Sequence, residues 1–204
     1  MIELLHAQPP LLRLISYETA PALAFLELCS IADGLVAYDA ILKRAPVAAH
    51  RGLIVHPGKY LIILQGNEEA LLEALRAGRQ VAGDAEVDAL LLTAPAPQLC
   101  ALITGPRAAE VDALGALETF GLIAAIRGAD AALKTAAIEG LTLNLDGPLG
   151  GKGLFLFTGS LEDVEAGLIA GRAAAPRSLL CSAQVIARPL GELREALIAP
   201  LKPG

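Results

Sequence analysis

The feature that most constrains this chain is that it is written twice. Ala22-Leu23-Ala24-Phe25-Leu26-Glu27 lies over Ala113-Leu114-Gly115-Ala116-Leu117-Glu118 at an offset of 91, and the same offset carries Asp39-Ala40-Ile41-Leu42-Lys43 onto Asp130-Ala131-Ala132-Leu133-Lys134. Further on the offset is 93. Gly58-Lys59 then falls on Gly151-Lys152, Gly66 on Gly159, and Ala77-Gly78-Arg79 on Ala170-Gly171-Arg172, with a two-residue insertion between Ile138 and Gly151 making up the difference. A register held through so many Gly, Lys and Asp positions is a duplication, and internal repetition decides architecture before any local pattern does. The 204 residues divide into an extension at 1–21, a first domain at 22–102, a linker at 103–112 and a second domain at 113–198.

Each copy carries the same order of elements. Apolar stretches at Ala22–Leu28 and Ala113–Thr119 predict a strand, followed by Ala-rich helices over Ile31–Arg44 and Leu122–Thr135. A strand pair follows: Gly52–Val55 with Tyr60–Leu64, and Thr142–Leu145 with Leu154–Phe157. Gly66 and Gly159 end the second of each pair, and Asn67 or Ser160 supplies a helix N-cap. Helices over Glu68–Gln80 and Leu161–Ala174 lead to a short last strand stopped by proline, Leu90–Thr93 or Gln184–Ala187. Strand–helix–strand–strand–helix–strand is an α+β unit, with helices on one face of an antiparallel sheet.

Composition says where such units are found. The chain is 54% hydrophobic and only 3% aromatic, with a mean hydropathy of +0.56. Small aliphatic side chains favour close packing of broad surfaces, so the excess is expected to be buried in an assembly. A membrane span is not expected, because Pro95 and Pro97 break the longest uncharged run, Ala89–Pro106, and no secretory signal opens the sequence. The net charge of −6, without a basic run, argues against nucleic acid as a partner. Cys29, Cys100 and Cys181 form no Cys-x-x-Cys pair and are expected as small buried thiols in a reducing compartment.

Ala113-Leu114-Gly115-Ala116-Leu117-Glu118-Thr119, followed by Gly121-Leu122 and Ala129-Asp130-Ala131-Ala132-Leu133-Lys134, resembles the opening strand and helix of the bacterial microcompartment shell domain. Gln184-Val185-Ile186-Ala187-Arg188-Pro189 resembles that family's closing strand. Leu26-Glu27-Leu28, Ser30-Ile31-Ala32 and Asp39-Ala40-Ile41-Leu42-Lys43 repeat the match in the first copy. Two unpermuted domains in one chain are similar to the single-layer tandem members. The resemblance implies a pseudohexameric homotrimer that tiles into a shell with other shell proteins, with a pore on its three-fold axis.

The resemblance also distributes roles. Lys43 and Lys134 match the family's tile-edge lysine. An ammonium on a flexible stem can donate to carbonyls across such an edge, although the residues alone equally suit a solvated lysine at a helix C-terminus. Arg188 matches a second edge residue, for which the first copy has Ala94. His56, Pro57, Gly58 and Lys59, and Gly147, Pro148, Leu149, Gly150 and Gly151 before Lys152, match the pore loops. Small residues there let backbone amides line a narrow hole, although without the resemblance they read as ordinary hairpin glycines. Some relatives carry cysteine where His56 stands and bind an iron–sulfur cluster through three copies. Here no thiolate is available. His56 can line the pore plainly, gate it through imidazole protonation near neutral pH, or hold a divalent metal on the axis, a reading that permanent charge on Lys59 would disfavour. No other cofactor is expected.

Glu27 and Glu118 close the first strands and are expected to be structural at the strand–helix corner. Arg79 and Arg172 are expected at a helix end or between the repeats, and His6 and His50 facing solvent. No HExxH, GxSxG, phosphate-binding or dinucleotide motif supports catalysis. The expectation is therefore a non-enzymatic shell tile, with a small-molecule-binding or sensor module of similar fold, or an electron relay through an axial metal, as rivals. Edge lysines separate the tile from the sensor, which has no need of them.

Overall fold

A computed structural model of the protein describes residues 22–107, 109–145 and 149–198. The first domain comprises β1 (Ala22–Leu28), α1 (Ile31–Arg44), β2 (Ala49–Val55), β3 (Lys59–Gly66), α2 (Glu68–Ala82), β4 (Glu86–Leu92) and α3 (Pro97–Thr104). The second repeats them as β5 (Ala113–Thr119), α4 (Leu122–Thr135), β6 (Glu139–Asn144), β7 (Gly153–Gly159), α5 (Leu161–Ala174), β8 (Leu180–Ile186) and α6 (Gly191–Ile198). The sheets are ordered β2-β3-β1-β4 and β6-β7-β5-β8, antiparallel throughout. The pairings of β1 and β5 match across the duplication: Glu27 faces Leu61 and Asp88, as Glu118 faces Leu154 and Ser182, whereas β6 slips by one residue against β7 between Gly140 and Thr142 and β2 does not slip against β3.

Local chemistry explains the boundaries. Ser30, Asn67 and Ser160 cap α1, α2 and α5, accepting the N–H groups of Asp33, Ala70 and Asp163. β1 and β5 have the bounds expected, β2, β3 and β7 run beyond theirs, and β4, β6 and β8 begin three or four residues earlier and stop one residue earlier than expected, at Leu92, Asn144 and Ile186. α3 and α6 were not foreseen. Pro97 at the first turn of α3 gives it the fixed φ that starts a helix, and Leu99, Cys100, Leu102 and Ile103 supply its buried face.

Burial departs from a simple two-layer unit in one way. Ala22, Ala24, Leu26 and Leu28 of β1 pack with Ala37 and Ile41 of α1 and with Leu71 and Ala74 of α2. The alternate residues Leu23 and Phe25 join a second core with Leu122, Ile123 and Ile126 of α4. β1 is therefore buried along its whole length, because the second domain lays α4 across the open face of the first sheet. β5 is less protected. There Ala116 and Glu118, the counterparts of Phe25 and Glu27, stay half-exposed.

Candidate functional site

The expected pore loops lie at the seam between the domains. Gly147 and Pro148, like residues 1–21 with His6, lie outside the described residues. The remaining loop residues of the two copies come together: a Cβ on Gly151 would stand 3.1 Å from Pro57 Cδ and 3.2 Å from the His56 carbonyl oxygen. Gly151 also adopts φ +76°, which favours glycine, so both its backbone and its neighbours require the missing side chain. His56 and Pro57 are exposed, as is Gly150, while Leu149 is half-buried. Cys29, Gly58, Phe120 and Lys152 border the same cleft.

Lys59 does not present a loose positive charge to that cleft. Its Nζ donates to Glu27 Oε1 at 2.8 Å, to the Phe120 carbonyl at 2.8 Å and to the Gly151 carbonyl at 2.9 Å. Glu27 is fully buried, and its Oε2 accepts the Ile123 N–H at 3.1 Å. This carboxylate from the first domain thus meets the positive end of α4, which Gly121 leaves without a side-chain cap. The expectation that Lys59 adds net charge beside His56 is corrected: the buried carboxylate beside it compensates the ammonium. The structural expectation for Glu27 is met in a stronger form, since the residue joins two domains as well as turning a corner. The equivalent pair, Lys152 Nζ to Glu118 Oε1 at 2.9 Å, is open to solvent, with Cys181 Sγ 3.5 Å from Glu118 Oε2. The hydrogen bond from Lys152 holds the Glu118 carboxyl below the ordinary glutamate range, and the same bond raises Lys152.

Two further contacts carry the seam, and sequence reading did not find them. Arg127 of α4 donates to both Asp88 oxygens, at 2.9 and 3.2 Å, and to the Ala89 carbonyl. Asp130 Oδ1 accepts the Ala96 N–H at 2.7 Å at the start of α3, whose Gln98 bridges the Ile138 carbonyl and the Gly140 N–H. Only Asp130 carried a signal, as part of the repeated Asp-Ala-x-x-Lys motif.

Of the expected edge residues only Lys134 touches this seam, through Asp130. Lys43 and Lys134 stand in the last turns of α1 and α4, each paired one helical turn back with Asp39 or Asp130. Arg188 is exposed beyond β8. Arg79 pairs with Glu86 within its own domain at 2.8 Å. His50 is exposed but hydrogen-bonds the Tyr38 hydroxyl. Of the cysteines only Cys100 is buried. Cys29 is exposed because it follows the last residue of β1 on the cleft rim, and Cys181 is half-exposed. Among the described residues no cluster of three His, Cys, Asp or Glu could hold a metal within one chain, and no helix is long and apolar enough to cross a membrane. The loop offers imidazole and no thiolate, so its donor set does not suit an iron–sulfur cluster.

Comparison with known proteins agrees with this arrangement. The model of the BMC domain matches residues 22–97 and again 113–189. The bacterial microcompartment shell protein PduT of Citrobacter freundii is 34% identical over 170 residues, covering 82% of this chain and 92% of that protein. The shell protein EutM of Escherichia coli K12 is 38% identical over 93 residues, 45% of this chain and 94% of its own. Among solved structures, a microcompartment protein from Desulfitobacterium hafniense DCB superposes with a TM-score of 0.73 at 31% identity, covering 85% of this chain and 98% of that one. The fused permuted hexameric shell protein MSM0275 shares the fold alone, with a TM-score of 0.57 at 21% identity, over 75% of this chain and 83% of its own.

Proposed function

Since this chain belongs to the BMC-domain family of bacterial microcompartment shell proteins and is a structural tile of such a shell, we propose that it works as a homotrimer, three chains closing a pseudohexagonal ring around a small pore. The observation that carries this reading is the seam: within one chain, a domain covers the open sheet of its neighbour and brings the two loops side by side. A ring of six such domains needs three chains. The tile has no catalytic task, its partners are further copies and other shell proteins, and its place is the compartment shell. His56, Pro57 and Gly58 alternate around the pore with Leu149, Gly150 and Gly151, so that exposed imidazoles and backbone amides meet the passing molecule. His56 serves as plain lining, without a resident metal.

Light scattering of the untagged protein tests both parts. The expected mass is about three times the 21.0 kDa of one chain, with metal well below one ion per three chains. A stable monomer ends the ring model. One metal per three chains, absent from His56→Ala, replaces plain lining with an axial metal site.

A further inference from the structure

Within one chain α3 lies against β6, and in a ring that repeats this seam between chains α6 of one copy lies against β2 of the next. On both sides of that second crossing the residues differ from those of the first. We propose that Glu192 of each copy pairs with the His50 imidazole of the next, so that the ring is held most tightly where this imidazole is protonated. This inference rests on the trimer reading and adds to it a contact under the control of a proton.

Register fixes which residues correspond. His50 pairs with Leu64 across β2 and β3, and Gly140 pairs with Phe157 across β6 and β7. Leu64 and Phe157 stand 93 apart, the offset of this stretch, so His50 occupies the place of Gly140. Helices α3 (Pro97–Thr104) and α6 (Gly191–Ile198) have equal length, which sets Glu192 in the place of Gln98. Within the chain, Gln98 accepts the Gly140 N–H at 3.0 Å and donates to the Ile138 carbonyl at 3.1 Å. A Cβ on Gly140 would run into Leu102 Cδ1, so α3 rests on bare backbone there.

The first domain offers no such bare patch. Tyr38, His50 and Tyr60 stand where the second has Ala129, Gly140 and Gly153. A helix docking on them is held further from the β2 backbone, at a distance that side chains span and a peptide N–H does not. The docking helix changes to suit. A neutral amide that both donates and accepts matches peptide groups, whereas a carboxylate, which only accepts, matches a cation. Gln98 opposite Gly140 thus becomes Glu192 opposite His50.

The imidazole is already held for this role. Its Nδ1 is hydrogen-bonded to the Tyr38 hydroxyl at 2.5 Å, which leaves Nε2 to meet a partner. Tyr38 leans on Tyr60, with ring centres 6.4 Å apart, and Tyr60 fills the room left by the missing side chains of Gly34 and Gly52. Burial raises the Tyr38 hydroxyl above the ordinary tyrosine range, so it stays neutral wherever an imidazole titrates. The charges nearby are Arg51 on β2, the Asp39–Lys43 pair on α1, and Glu192, Arg194 and Glu195 on the incoming helix, while β3 brings only Tyr60. Side chains of these kinds keep their charge between about pH 6 and 8, and an imidazole, titrating near 6.5, does not. The pair is therefore whole at the acid end of that window and lost at the other.

Exchange of chains between trimers reads this directly. Isotope-labelled and unlabelled full-length protein are mixed at about pH 6 and at about pH 8 and followed by native mass spectrometry. Exchange is expected to be roughly threefold slower at the lower pH, the size of a partly exposed ion pair. Glu192→Gln, which restores the residue of the sister helix, is expected to exchange at one speed at both values. His50→Lys, charged at both, is expected to stay slow at both, and far-UV circular dichroism checks that the variants fold. Equal exchange of the wild type at the two values, or a difference that survives Glu192→Gln, overturns the pairing and leaves the trimer standing. A wild-type monomer overturns the trimer itself.

Discussion

At the scale of single residues, the seam turns on a carboxylate placed where water cannot reach it. An unpaired charge there would be costly, so Glu27 is tolerated only because Lys59 and the α4 N-terminus neutralise it. Glu27→Gln keeps the shape and removes the charge, leaving the Lys59 ammonium against neutral acceptors. The expected loss is about 3 kcal/mol in urea unfolding; an unchanged midpoint would mean the pair holds nothing together. The sister pair responds to acid. Because Lys152 depresses the Glu118 carboxyl, the stability that pair adds is whole above the ordinary glutamate value of 4.5 and is lost as pH falls below it. Lys152, raised, stays charged throughout that window. The difference in thermal midpoint between wild type and Glu118→Gln is therefore expected to hold from neutral pH to about 5 and to shrink towards zero in stronger acid. A difference that persists at pH 3 would show that the residue acts through packing alone.

Between elements, α4 and α5 cross closely at a pair of glycines. A Cβ on Gly171 would stand 2.9 Å from the Gly128 carbonyl oxygen, and one on Gly128 would stand 2.4 Å from Leu117 Cδ2 and 3.1 Å from the Gly171 carbonyl oxygen, both too close. In the first domain, the position of Gly128 is held by Ala37, and a Cβ on Gly78 would meet side chains and no carbonyl, Ile41 Cδ1 and Cγ1 at 2.7 Å and Leu26 Cδ2 at 3.1 Å. Gly171→Ala is thus expected to cost about 1–3 kcal/mol, and Gly78→Ala less, since a side chain can turn aside and a carbonyl in a helix cannot. Equal costs, compared by calorimetry, would refute that ranking. These crossings bear on what could be read in advance. Ala-Gly-Arg stood out in both copies, and strands, helices and caps followed from periodicity and from Ser or Asn before apolar runs. α3 and α6 did not, because eight residues between prolines and a glycine carry too little periodicity to separate a helix from a loop. Arg127 and Asp88 were equally hidden. Their partnership exists only once one domain lies on the other, and nothing in spacing reports a contact 39 residues apart.

For the whole molecule, we propose that the two lysines matched to the family's tile edge join rings into sheets. Lys43 and Lys134 are more than a third exposed, with their charge held by an aspartate of the same helix. Reversal to glutamate at position 134 would set two carboxylates together beside the Ala96 contact, so alanine is the cleaner change. Lys43→Ala with Lys134→Ala is expected to abolish ordered sheets in negative-stain microscopy while the ring mass stays unchanged, and sheets of normal extent would place the tile edge elsewhere. Arg127 and Asp88 meet only across the seam, and the residues that stand in their places in the other copy, Val36 and Ser182, cannot form such a pair. The two halves, though written as copies, are therefore no longer interchangeable: a chain assembled from two first halves would leave Asp88 without its guanidinium, and one from two second halves would leave Arg127 without its carboxylate.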